Sequence, residues 1–310
     1  MIKWEKKGLV YSAGGKHWWD KSHAQEPVAE ILEDRMRIYY SSRDAENRSH
    51  TSYIETDVND PGKILFEKSE PILPLGERGS FDDDGVMPSC IMDHDGKKFL
   101  YYTGWHRGEE FPYLNSIGLA ISEDGGVTFN RYGDKPLIEV SGEGEFTGTP
   151  FVMYDGGVFR MWYLHCIQWV EVSGLREPVY NIRHAESQDG KKWTPSDKAV
   201  IELNEGEGGI SSPSVLKEDG IYKMWYSYRG MTDYRSDKDN TYRIGYAESN
   251  DGIHWTRKDD EAGIGCSNEE WDSEMVSYPY VVEWKGKRYM FYNGNGFGKS
   301  GFGYAVSEIG

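Results

Sequence analysis

No apolar run in this sequence approaches the ~18 residues that a membrane-spanning helix needs, so membrane insertion is not expected. The opening stretch, MIKWEKKGLVYSAGGKHWWD, lacks the apolar core of a secretory leader, and a cytoplasmic location is the expectation. Basic charge is scarce: 35 Lys and Arg stand against 52 Asp and Glu, a net charge of −17. Proteins that wrap nucleic acid need a basic stripe to displace counterions, so a nucleic-acid partner is not expected. Cysteine is sparse and odd in number. Cys90, Cys166 and Cys266 lie far apart, in no metal-like spacing, and read as reduced thiols rather than a disulfide framework. Long helix-period stretches are missing, as are a phosphate-cradling glycine loop and a Gly-Xaa-Ser-Xaa-Gly elbow. His23, His106 and His165 are dispersed without tight ligand spacing, so no metal and no cofactor are expected from the residues themselves.

What the sequence does contain is 22 Tyr, 11 Trp, 11 Phe and 37 Gly, the composition of many short strands joined by tight turns. These strands repeat. The phrases EPVAEILEDRMRIYYSSRD, MPSCIMDHDGKKFLYYTGWHR, TPFVMYDGGVFRMWYLHC, SPSVLKEDGIYKMWYSYRG and YPYVVEWKGKRYMFYNGNG each place a proline before a β-rich run, a turn and an aromatic strand. Their prolines, Pro27, Pro88, Pro150, Pro213 and Pro279, are 61, 62, 63 and 66 residues apart. Most are followed by a hairpin such as IGLAISEDGGVTF or IGYAESNDGIHW.

Four antiparallel strands per repeat of this length describe a propeller blade, since radial repetition protects sheet edges. The expectation is one all-β domain over residues 1–310: a five-bladed β-propeller whose blades start near the five prolines. The fifth repeat stops after its third strand, at GYAVS. Trp4 falls in register with Phe66, Phe129, Trp193 and Trp255, so the N-terminal strand is expected to close the ring by pairing with residues 302–307. The repeated aromatics read as packing between blades.

Tight turns occupy one face of such a ring, and the long crossings into each blade share the other face with the loops between its second and third strands. Ligands need concavity and varied side chains, which places function on the long-loop face. Carboxylates precede the prolines there. Glu26 adjoins Pro27, FDDDGVMP supplies Asp83 and Asp84, GEGEFTGTP supplies Glu143 and Glu145, and WDSEMVSYP supplies Asp272 and Glu274. Asp83, Glu145 and Glu274 stand five residues before their prolines and are expected to share one funnel. The ends of the aromatic strands add donors and platforms: Arg43 and Asp44, Trp105, His106 and Arg107, His165, Arg229, Asn293 and Asn295. Aromatic faces beside Arg, Asn and carboxylates suit a carbohydrate, with its C–H faces and many hydroxyls. Arg43 and Arg229 occupy matching positions and could hold a carboxylate or phosphate substituent.

The turns SEDGGVTF, SQDGKKW and SNDGIHW resemble the Asp-box of sialidases, a structural turn remote from chemistry. The five repeats with carboxylates before an Xaa-Pro step resemble the five-bladed glycosidase superfamily, which includes glycoside hydrolase families 43 and 130, invertases and levansucrases. The phrases FDDDGVMPSC, YTGW, MWYSYRG, WDSEMVSYP and MFYNGNGFG are similar to bacterial relatives of the N-terminal domain of plant glucosamine inositolphosphorylceramide transferases. The likeness runs from about Trp4 to Ser307.

By position, the family-43 resemblance implies Glu26 as base, Asp83 or Asp84 as the residue tuning the acid, and Glu145 or Glu143 as acid. The first position reads Gln-Glu-Pro where that family has Asp-Pro, and the Asn-Asp-Pro-Asn of invertases is absent. Related propellers also imply a hydrated calcium ion in the axial channel. Two functions follow. The first is a carbohydrate-active enzyme, a glycoside hydrolase, phosphorylase or transglycosylase of surface-polysaccharide metabolism. The second is a non-catalytic glycan-binding or scaffolding propeller in polysaccharide biosynthesis. Oligomeric state, sugar and linkage are not legible.

Overall fold

The computed structural model describes residues 2–108, 110–268 and 271–309. The chain is all-β. Its strands fall into five consecutive antiparallel units. The first comprises β2 (Ser22–Ile31), β3 (Arg35–Arg43), β4 (Ser49–Asp57) and β5 (Ile64–Glu67), and follows the N-terminal strand β1 (Glu5–Tyr11) in the chain. The second comprises β6 (Gly85–His94), β7 (Lys97–His106), β8 (Leu114–Ser122) and β9 (Asn130–Arg131). The third is β10 (Thr147–Asp155), β11 (Val158–Val172), β12 (Leu175–Ser187) and β13 (Thr194–Ile201). The fourth is β14 (Glu207–Glu218), β15 (Ile221–Gly230), β16 (Arg243–Ser249) and β17 (Trp255–Arg257). The fifth holds β18 (Ser277–Trp284), β19 (Lys287–Asn293) and β20 (Phe302–Glu308), and β1 completes it in the order β1-β20-β19-β18. Single parallel bridges, Ser49 to Gly85 and Tyr180 to Gly209, join the first unit to the second and the third to the fourth, giving two eight-stranded sheets.

The expected pairing of the N-terminal strand is present, with Glu5 opposite Val306 and Leu9 opposite Gly303. Trp4 is buried and meets Trp225 edge-on at 5.7 Å, while Lys6 reaches Asp272 at 2.5 Å.

Second strands such as β3 and β19 are buried along nearly their whole length, because each packs on both faces against neighbouring units. This is why they read as unbroken aromatic runs rather than as alternating ones. The Asp-Gly turns lock one unit to the next. Asp124, Asp189 and Asp251 each accept two backbone N–H groups within their turn. The preceding unit donates to each turn: Tyr39 to Gly126 O at 3.1 Å, Tyr101 to Gly190 O at 2.8 Å, and Trp162 Nε1 to Gly252 O at 2.8 Å. Gly126 has a φ of 85°, and a Cβ there would lie 2.3 Å from the Tyr39 hydroxyl, so the position needs glycine twice over. Cys90, Cys166 and Cys266 are free thiols, and among the described residues no helix is long and apolar enough to cross a membrane.

Candidate active site

The Xaa-Pro steps build the site floor. Each unit's first strand carries a register shift at this step, for example between Gln25 and Val28 and between Ser277 and Tyr280. A bulge of this kind leaves a residue out of the ladder and re-aims its side chain. In four units the residue before proline takes left-handed backbone: Glu26 (φ 52°), Thr149 (42°), Ser212 (51°) and Tyr278 (53°). Such a conformation costs a non-glycine residue about 1–3 kcal/mol and persists only where its surroundings over-determine it. Here a neighbouring unit holds each displaced N–H. Asn293 Oδ1 accepts from Glu26 at 2.8 Å, Thr103 Oγ1 from Thr149 at 2.7 Å, Thr149 Oγ1 from Ser212 at 3.0 Å and Ser227 Oγ from Tyr278 at 2.8 Å. The four residues surround a water-sized void of about 20 Å³.

Above this floor opens a cavity of about 480 Å³. Its wall draws on the connections between second and third strands of all five units, through Asn47, Tyr113, Leu175, Arg235 and Phe297. The fifteen-residue β11 and thirteen-residue β12 form a hairpin whose tip brings Leu175 and Arg176 to the rim. Tyr180, Tyr234, Tyr242 and Tyr278 add an aromatic lining, and Tyr180 and Tyr242 share a hydroxyl–hydroxyl hydrogen bond.

Two carboxyl groups line the cavity, in opposite electrostatic states. Glu26 is half-buried, and its Oε2 is out of solvent contact with no hydrogen-bond partner. Burial pushes its pKa up to about 8, with Arg43 pulling the other way. Desolvation, rather than a neighbouring carboxylate, is the cause of the shift. Glu177 is buried too, which by itself would raise its pKa. The fork from Arg235, at 3.1 and 3.0 Å, and the Tyr234 hydroxyl at 2.6 Å outweigh that and hold it below the usual range. His23 also lines the cavity and is pushed down to about 4 by burial and by Arg43 and Lys299.

The other candidate residues take different places. Arg43 and Trp105 line the cavity, the guanidinium lying 5.6 Å from the indole centroid. Asn293 lies beneath it, buried, donating to Ala24 O and Gly301 O while it holds the Glu26 N–H. Arg229 is buried behind the wall, stacked 3.8 Å from the Tyr234 centroid and donating to Tyr180 and to Pro178 O. His165 is buried with both ring nitrogens unpartnered, its pKa lowered to about 4 by burial. Asp44 is spent inside its own loop on Arg48 and His50.

The carboxylates counted five residues before their prolines are not brought together in this cavity. Asp83, Asp84, His106 and Arg107 line a separate pocket, where Asp83 accepts from His106 at 2.7 Å and Asp84 pairs with Arg107 at 2.5 Å. Glu145 turns back to accept from Gly142 N. Glu274 is exposed beside a third pocket, its N–H bonded to Asn295 Oδ1.

Two clusters have metal-like donor spacing among the described residues, His17–Asp20–Glu67 and Asp83–Asp84–His106. In the first, Asp20 accepts backbone N–H groups and Glu67 binds Lys16 and Tyr11; in the second, the acids are engaged as above. The void at the site floor offers a single carboxyl group among hydroxyls, a poor match to the several carboxylate and carbonyl oxygens that calcium takes.

Residues that the sequence reading missed are Arg176, Glu177, Tyr234, Arg235 and Tyr278. The signal for Tyr278 was present: it occupies the same pre-proline position as Glu26.

No family model matches the sequence. Among solved structures, the fold resembles a thermostable family-43 glycoside hydrolase, with a TM-score of 0.69 and 18% identity over 96% of this chain and 91% of that one. It also resembles a structure from a study of the GH130 family of mannoside phosphorylases, containing glycoside hydrolases that target β-1,2 mannosidic linkages in Candida mannan, with a TM-score of 0.73 and 15% identity over 98% and 93% of the two chains. A 1,2-β-oligomannan phosphorylase of Thermoanaerobacter sp. (strain X514) is 30% identical over 138 residues, 43% of this chain and 45% of that protein. The proteins Rv1502 and MT1551, from two strains of Mycobacterium tuberculosis and described as uncharacterized, are each 39% identical over 310 residues, 99% of this chain and 100% of their own. The chain belongs to the family of these two mycobacterial proteins.

Proposed function

We propose that this protein is a carbohydrate-active enzyme that cleaves or transfers a glycosyl unit, with Glu26 as the proton donor to the departing oxygen. Its scaffold in this reading is one five-bladed propeller over residues 1–310, closed by β1. Supporting the ring, each unit touches the next and the fifth touches the first: Tyr39 with Gly126, Tyr101 with Gly190, Trp162 with Gly252, Ser227 with Tyr278, and Asn293 with Glu26.

The observation that carries the chemistry is the Glu26 carboxyl, desolvated at the cavity floor and protonated at neutral pH. A general acid works best when its pKa lies near the operating pH. Glu177, held ionised in the same cavity, supplies the contrast between two carboxyl groups on which glycosidases rely. This assigns Glu26 the acid role rather than the base role implied by its position. The nucleophile is water or phosphate, and both the glycosidase-type fold and the partial likeness to an oligomannan phosphorylase agree with a sugar substrate.

The test is turnover of aryl-glycosides graded in leaving-group acidity, with and without phosphate. Glu26→Gln should lower kcat by about 10²–10⁴-fold for poor leaving groups and much less for nitrophenolates, which depart without a proton. Equal loss on both would remove Glu26 from the acid role. Sugar binding by the native protein without turnover of any glycoside would leave a glycan-binding module.

A further inference from the structure

In a chain of net charge −17, the 480 Å³ cavity is lined by three arginines, Arg43, Arg176 and Arg235, and two carboxyl groups. Arg235 is matched by Glu177. Arg176, at the rim, donates to Glu110 O at 3.1 Å and lies 5.2 Å from the Phe111 centroid, and its carboxylate contact is a loose one, 3.9 Å from exposed Glu110. Arg43 has no carboxylate partner among the described residues. Its Nε donates to Gln25 Oε1 at 3.1 Å and its Nη1 to Asn47 Oδ1 at 3.2 Å, both neutral amides. Glu26, whose charge would favour that of Arg43, retains its proton at neutral pH and does not balance it.

The guanidinium is therefore oriented but not neutralised. Two amide oxygens fix its plane, Trp105 lies alongside at 5.6 Å, and burial disfavours its charge despite the nearby Tyr278 and Glu26. A half-buried cation left in that condition is the usual complement of a ligand oxyanion, which guanidinium geometry matches in bidentate fashion.

We infer that the cavity holds an oxyanion, a carboxylate or phosphoryl group, on Arg43, with Gln25 and Asn47 positioning the fork and Arg176 near the entrance. The inference rests on the carbohydrate reading only for where the anion comes from: it is borne by the glycan, or it is free phosphate entering beside a neutral sugar. Arg229, which the sequence pairs with Arg43, takes no part, being buried behind Tyr180 and Tyr234.

Calorimetric titration at pH 6.5 with glucose, glucuronate, glucose 6-phosphate and orthophosphate separates these cases. Expected is a preference of about tenfold or more for charged over neutral sugars, or direct binding of orthophosphate, as charge-assisted hydrogen bonds provide. Arg43→Gln should abolish that preference and Arg43→Lys should keep part of it. Orthophosphate binding without preference among sugars assigns the site to free phosphate; preference without orthophosphate binding assigns it to the glycan. Equal binding of neutral and charged sugars, with no orthophosphate bound, overturns the anion site and leaves the carbohydrate reading standing. Orthophosphate bound and every sugar ignored does the reverse. If Arg43→Gln does not fold, these comparisons on the native protein still decide the matter.

Discussion

Glutamine in place of Glu26 should make this protein more stable in alkali than its native form. In the folded state the carboxyl titrates near 8 instead of 4.5, so the folded chain binds the proton more tightly than the unfolded one. The stability this contributes is fully present below pH 4.5 and is lost as pH rises through 8. Each pH unit of displacement corresponds to about 1.4 kcal/mol, so the whole displacement is worth about 5 kcal/mol. Solvent entering the open cavity screens part of this, leaving about 2–4 kcal/mol. Glutamine has the same shape and does not titrate. Urea denaturation of native protein and Glu26→Gln at pH 5 and pH 9 should show near-equal stability in acid and a glutamine advantage of about 2–4 kcal/mol in alkali. Of the groups that feel the Glu26 charge, Tyr278 is held well above its ordinary range and Arg43 keeps an arginine's charge throughout, so the difference between pH 5 and pH 9 isolates this residue. Parallel stability curves would mean that Glu26 is solvated and ionised at neutral pH, and the acid role would fall with it.

Three further outcomes are expected. Trp4→Ala should cost about 3–5 kcal/mol in chemical denaturation, because it empties a buried site against Trp225; an unchanged midpoint would mean that the N-terminal strand is dispensable. Gly126→Ala should lower stability by about 2 kcal/mol or more, since it combines a left-handed φ with a Cβ forced against the Tyr39 hydroxyl; a neutral result would show that the turn can shift away. Arg229→Ala should act on stability first, lowering the melting temperature through loss of the bonds to Tyr180 and Pro178. Lost sugar binding at an unchanged melting temperature would instead make Arg229 a direct ligand contact.

The architecture was legible where the chain is regular. Each of the five prolines sits at or beside the register shift of its unit's first strand, and β1, which follows Trp4, pairs with β20 as the repeat spacing predicts, so spacing along the sequence maps onto spacing between strands. The same logic reaches Glu26 and Tyr278, which stand within the ladder at a bulge. It does not reach Asp83, Glu145 and Glu274. Five residues before the proline the chain is in irregular crossings, where equal sequence distance carries no equal direction. Asp83 folds onto Gly79 and His106, Glu145 onto Gly142, and Glu274 stays on the surface. Glu177 and Arg235 were hidden for another reason: one lies on an overlong hairpin and the other in a loop outside the repeat, so neither has a counterpart in other units to mark it.

The pairing of β1 with β20 also sets a timetable. On a ribosome adding ~5–20 residues per second, Glu5 waits on the order of 15–60 s before Val306, its partner, has been made. For that interval both β1 and the outer edge of the growing fold are open to strand addition from other nascent chains. The charged residues Lys3, Glu5, Lys6 and Lys7 give the waiting segment charges that oppose such pairing. A bulky fusion placed directly before Trp4 would lengthen the wait or block the docking, so yield during expression should depend on which end carries the tag.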